Sequence, residues 1–154
     1  MQKKILGTDH REAEKEFGKS SAGRSNGTVK SVAKKALPLL AVLWFLLVTV
    51  LLSLPGSAFP KENWLDKIWF DKWVHIFLFG MLAFLSYSFL KQFSGKKIRL
   101  ILWVIIACFL YGIAMEFVQK YFIPDRSFDI GDIAADGIGS AVGGFFAARR
   151  YIKK

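Results

Sequence analysis

Four apolar stretches, parted by short polar ones, set the pattern of this 154-residue chain. The first, residues 36–54, holds no charge across nineteen positions. As a helix it would be about 28 Å long, close to the hydrocarbon thickness of a bilayer. Lys34 and Lys35 flank its start. Pro55-Gly56 ends it, because proline disfavours helix at the residue before it. The long polar leader and the length of the apolar run read as a retained span rather than a cleaved signal peptide. The second stretch covers 73–90, the third 98–119 and the fourth 128–148. The pattern predicts an all-α membrane protein: a four-transmembrane-helix bundle with a short amphipathic interfacial segment after the first span.

That segment, 55–72, interleaves Trp64, Trp69 and Phe70 with Lys61, Glu62, Asp66, Lys67, Asp71 and Lys72, and Trp73 follows it. Tryptophans mixed with charge favour the headgroup region. Either a short helix lying on the outer leaflet or an irregular loop with aromatic anchors satisfies the pattern. In the fourth stretch Ala135, Gly139, Gly143 and Ala147 recur every fourth residue, with Ser140, Gly144 and Ala148 beside them. Small residues at this spacing let helix backbones approach closely in lipid. They are expected to pack this helix inside the bundle; a homo-oligomer or a partner span is the alternative use.

Composition agrees with the pattern: 53% of the residues are apolar, with 15 Phe. The net charge of +10 does not point to nucleic acid, since no nucleic-acid-binding motif accompanies it. Its placement matters more. Seventeen Lys/Arg lie in the N-terminal tail, the 91–99 turn and the C-terminal end, against five in the two other loops. The positive-inside rule then puts both termini of a multi-pass membrane protein in the cytoplasm. Residues 1–35 are polar and basic and are expected to form a disordered tail. Residues 36–148 form the membrane domain, and 149–154 a basic cytoplasmic end. The one cysteine, Cys108, excludes an intrachain disulfide and a cysteine metal site.

The remaining ionisable and amide groups gather at one end of the spans. Lys72 and His75 open the second, Glu116 and Gln119 close the third, Arg126 lies in the loop, and Asp129, Asp132 and Asp136 open the fourth. Asp71 and His75 are one turn apart; the three aspartates at i, i+3 and i+7 form one stripe. Carboxylates are expensive in lipid, so a stripe of them beside a glycine ridge is expected to face the bundle or a water-filled pocket. Asp129 suits a helix N-cap. Two readings of the set stay open: a binding or catalytic pocket, and an ion-paired plug that fixes helix register. An ion path is disfavoured, because no polar group stands at mid-membrane.

As a catalytic site the set offers His75 and Glu116 for proton transfer. Lys72, Gln119, Arg126, Asp129, Asp132 and Asp136 would bind: the cations an anion, the carboxylates the cations. Carboxylates with His75 also suit oxygen-rich divalent ligation, but no metal and no cofactor is assigned. No Walker loop, HExxH helix or GxSxG elbow is present.

The Asp71-Lys72-xx-His75 opening, Glu116-xx-Gln119, Arg126, Asp129, Asp132 and the small-residue helix with Gly139 and Gly143 resemble the VanZ-like family of small bacterial membrane proteins. The resemblance covers about 37–148. It implies a cell-envelope role, with teicoplanin resistance associated with the founding member. It also implies the bacterial cytoplasmic (inner) membrane as location, where an outward-facing cluster is expected to take a lipid headgroup, a lipid-linked cell-wall precursor or a glycopeptide as ligand. Asp136 stands where the family pattern often has Asn, which adds a negative charge to the site.

Overall fold

The structure is a computed structural model that describes residues 36–58, 69–94 and 97–151. The basic tail over 1–35, residues 59–68 of the interfacial segment and residues 152–154 lie outside the described residues. Among the described residues there are four α-helices and no strand: α1 (Ala36–Leu52), α2 (Phe70–Leu90), α3 (Lys97–Phe122) and α4 (Ile130–Tyr151). A single 3₁₀ turn, Gly56–Ala58, follows α1.

Backbone hydrogen bonding sets the helix ends, so they differ from the apolar boundaries by a few residues. α1 closes with the Ser53 amide on Thr49, just ahead of Pro55. α2 opens at Phe70, earlier than the apolar run, because Lys72 and Trp73 donate back to the carbonyl of Trp69. α3 closes with the Ile123 amide on Gln119, ahead of Pro124. α4 continues through Arg149 and Arg150 to Tyr151, since arginine is a good helix former and its charge suits a helix C-terminus.

Contacts give the helix directions. Thr49 and Tyr111 share a hydrogen bond of 2.8 Å, and Gln119 donates to the Leu52 carbonyl at 3.0 Å, so α1 and α3 run parallel. Lys72 and His75 meet Asp132 and Asp136, so α2 and α4 run parallel. Ile101 and Ile105 lie by Gly144 while Gly112 lies by Asp136, so α3 opposes α4. Trp44 on α1 donates its indole N–H to the Leu78 carbonyl of α2 at 3.0 Å.

The α2–α4 contact is the most extensive among α2, α3 and α4, and glycine is the reason. A Cβ on Gly139 would strike the backbone of Ile76, and one on Gly143 the carbonyl oxygen of Gly80. The small-residue ridge is therefore covered by α2. Below it Val48, Leu52, Phe79, Leu82, Ala83, Tyr87, Val104 and Ala147 form the core.

Outside that core the helices are apolar and uncovered. Leu39, Leu43, Phe45, Leu46, Phe77, Leu102, Trp103, Ile106, Phe145 and Phe146 are all exposed. An apolar surface this broad marks a membrane or partner interface. α2 and α3 are long and apolar enough to cross a membrane. α4 has the length, but its glycines, Asp132 and Asp136 lower its apolarity. The α1 helix, Ala36–Leu52, is apolar but shorter.

Candidate functional site

The polar site lies where the start of α2, the end of α3 and the start of α4 meet. It begins with the way α4 starts. Asp129 precedes Ile130 and accepts the Gly131 amide on its Oδ1 at 2.6 Å, while its carbonyl accepts the Asp132 and Ile133 amides. It is the N-cap of α4, satisfying donors that a helix start otherwise leaves orphaned. The Asp129 amide in turn donates to Glu116 Oε2 at 2.9 Å. Glu116, buried near the end of α3, thus ties the loop to its own helix.

Capping sets the direction of the stripe above it. Asp132 and Asp136 are both buried and look toward α2. Lys72 reaches over the opening of α4, and Gly131 leaves the room: a Cβ there would stand 2.6 Å from Lys72 Cε. The Lys72 ammonium lies 2.7 Å from Asp129, 2.8 Å from Asp132 and 3.3 Å from Asp71. Oxygens of these same three carboxylates converge within 4.8 Å of one another. That is the spacing a metal ion would use, and the lysine supplies the cation there. Asp129 stands ahead of the helix, and its hydrogen bond to Lys72 holds its carboxyl below the usual carboxylate range.

One turn deeper, His75 Nδ1 donates to Asp136 Oδ1 at 2.8 Å. The imidazole runs parallel to the Phe79 ring, at 7° between planes with centroids 6.4 Å apart. When the ring is neutral with its proton on Nδ1, the lone pair is on Nε2, which lies 4.0 Å from Asp132 Oδ2, too far for a hydrogen bond. Asp136 itself is 1% exposed, and its Oδ2 has no hydrogen-bond partner among the described residues. Its carboxyl group fills the place of a side chain at Gly112 of α3.

Not every residue named from the sequence joins this centre. Gln119, although one turn from Glu116, donates to the Leu52 carbonyl. Arg126 Nε donates to the Leu54 carbonyl at 3.4 Å. Both satisfy the end of α1. Nearby the Gly56 amide donates to the Pro124 carbonyl at 3.2 Å, clasping the two loops together. Asp71, one helical turn from His75, is exposed and turns to Lys72 instead. Ala135, Gly139, Gly143 and Ala147 are buried along α4.

A model of the family described as VanZ/LLP1 matches residues 21–151, most of the chain. The chain belongs to the VanZ/LLP1 family. No curated protein and no solved structure gives a significant match. In this VanZ/LLP1 protein three participants escaped the sequence reading. Gly112 seats Asp136, Gly80 receives Gly143, and Tyr111 pairs with Thr49. The signal for the two glycines was their isolation inside otherwise bulky apolar runs, where glycine often marks close backbone approach.

Proposed function

We propose that this VanZ/LLP1 protein is a four-span protein of the bacterial cytoplasmic membrane, both termini in the cytoplasm, with a polar site at the outer interface. The site acts on or binds a lipid headgroup, a lipid-linked cell-wall precursor or a glycopeptide. His75 serves as base through Nε2, Asp136 orients it, and Glu116 exchanges the second proton. Lys72 meets the anionic part of the ligand, with Asp129 and Asp132 holding the surrounding geometry, while Gln119 and Arg126 brace the end of α1 beside the site.

The observation that carries this reading is the buried His75–Asp136 pair with an unpartnered carboxylate oxygen. A buried acceptor left without a donor costs about 1–3 kcal/mol, more when charged. A cluster serving helix register alone gains nothing from that cost. A chemical role is one explanation for such a group, and the adjoining imidazole favours it here.

A second reading draws on Lys72. Its ammonium sits among three carboxylates of its own chain, as a helix-to-helix latch would require. On that reading the cluster fixes register and the protein is a non-enzymatic membrane interaction partner.

The two separate in a deletion strain complemented with His75→Asn, whose amide keeps a donor for Asp136 but cannot act as a base, or with Asp136→Asn or Glu116→Gln. Membrane abundance is scored together with teicoplanin susceptibility and the lipid-linked precursor profile. Normal abundance with a lost phenotype supports the site. Abundance lost in step with the phenotype supports the latch.

A further inference from the structure

A furrow of about 810 Å³ runs along the outward side of the α2–α4 contact, away from the buried His75–Asp136 pair. Its floor is the close crossing of Gly80 and Gly143, and its walls are Phe77, Val142 and Phe146. The missing side chains of the two glycines let the helix backbones close on each other there, so the floor is backbone. Along α2 the lining runs from Trp73 to Phe84, about 17 Å of helix, long enough to hold most of an extended acyl chain. At one end the lining changes from apolar to cationic: Arg149 and Arg150, both exposed, close the furrow. Lys91 lies on the Tyr151 ring at the same end, 2.8 Å from its centroid.

We propose that this furrow is a binding site for one anionic phospholipid. An acyl chain lies between Phe77 and Phe146 over the glycine floor, and the phosphate is held by Arg149 and Arg150. The charge of the end selects the headgroup. Arginine's planar fork matches phosphate oxygens in pairs, and basic clefts between helices are suited to anionic lipid heads. A zwitterionic lipid fills the same furrow but meets the arginines with no net charge. The site is separate from the polar centre and does not depend on its chemistry.

The test uses the full chain reconstituted in phosphatidylcholine vesicles with a trace of spin-labelled phosphatidylglycerol or spin-labelled phosphatidylcholine. Electron spin resonance reads the fraction of label immobilised by the protein. Wild type is expected to prefer phosphatidylglycerol by roughly fivefold, the contribution of one basic charge held at the surface. R149Q/R150Q is expected to bring the two lipids level, with only a small drop in the thermal melt, since both side chains are exposed and glutamine is also a good helix former. V142W keeps the arginines but fills the furrow, and it too is expected to abolish the preference. Equal retention of both lipids by wild type overturns the proposal. A preference that survives V142W also overturns it, because attraction to the basic surface alone then accounts for the result. High-yield disulfide cross-linking of V142C between chains in the membrane would assign the furrow to a second copy and overturn it as well.

Discussion

His75 and Asp136, 61 residues apart in the chain, meet at 2.8 Å between two parallel helices, both nearly inaccessible to solvent. Little water is present to screen the pair. Each side chain is therefore tolerable there only because of the other, and the pair binds the start of α2 to the start of α4.

Removing one partner strands the other, so His75→Ala and Asp136→Ala are each expected to destabilise by about 3–5 kcal/mol. The double variant should lose less than the two together, with a coupling energy of about 1–3 kcal/mol. Reversible unfolding in mixed detergent measures all three. Simple additivity would mean that the hydrogen bond carries no stability of its own.

Lys72 makes the protein acid-sensitive. Its ammonium holds the Asp129 carboxyl below the ordinary range. A lowered folded-state pKa adds stability above the unfolded pKa, and that stability is lost as pH falls through the folded value. Thermal melts from neutral pH down to about pH 3 should therefore fall more steeply in wild type than in Lys72→Met, which starts lower. Parallel curves would remove Lys72 as the cause.

The glycines of α4 should differ from one another. Gly139 and Gly143 face backbone atoms of α2, which cannot yield, whereas Gly144 faces the end of the flexible Ile105 side chain. Gly139→Ala and Gly143→Ala are expected to cost roughly 1–3 kcal/mol, with Gly144→Ala well below them. Equal losses at the three positions in the same unfolding assay would contradict the packing described.

Gly112 controls the pair from a third helix. A Cβ there would stand 2.9 Å from Asp136 Cβ and 3.0 Å from its Cγ. Gly112→Ala should push Asp136 off His75, and the downfield NMR signal of the His75 Nδ1 proton should vanish. Retention of that signal would show that α3 can move aside.

Much of this was legible because it is local. Uninterrupted apolar runs announced α2 and α3, and the proline and glycine after residue 54 announced the end of α1. A capping aspartate at 129 follows from its place before a helix, and the small residues of α4 from their spacing. The pairings were not legible. Spacing set Asp71 beside His75, yet exposure drew Asp71 to Lys72, and the buried imidazole found Asp136 on another helix. Gln119 shares a helix with Glu116, but its amide answers an open carbonyl of α1. Such choices depend on which unsatisfied group lies nearest after packing.

The sequence by itself determined the helical class, the apolar helices, the family and the gathering of polar residues at helix ends, because hydropathy, capping and spacing act within a few residues along the chain. Only the tertiary structure decided that α2 covers the glycine ridge, that Lys72 joins three carboxylates and that Gly112 seats Asp136. Those outcomes follow from close packing, where a missing Cβ on one helix sets how near another can come and hence which charges meet.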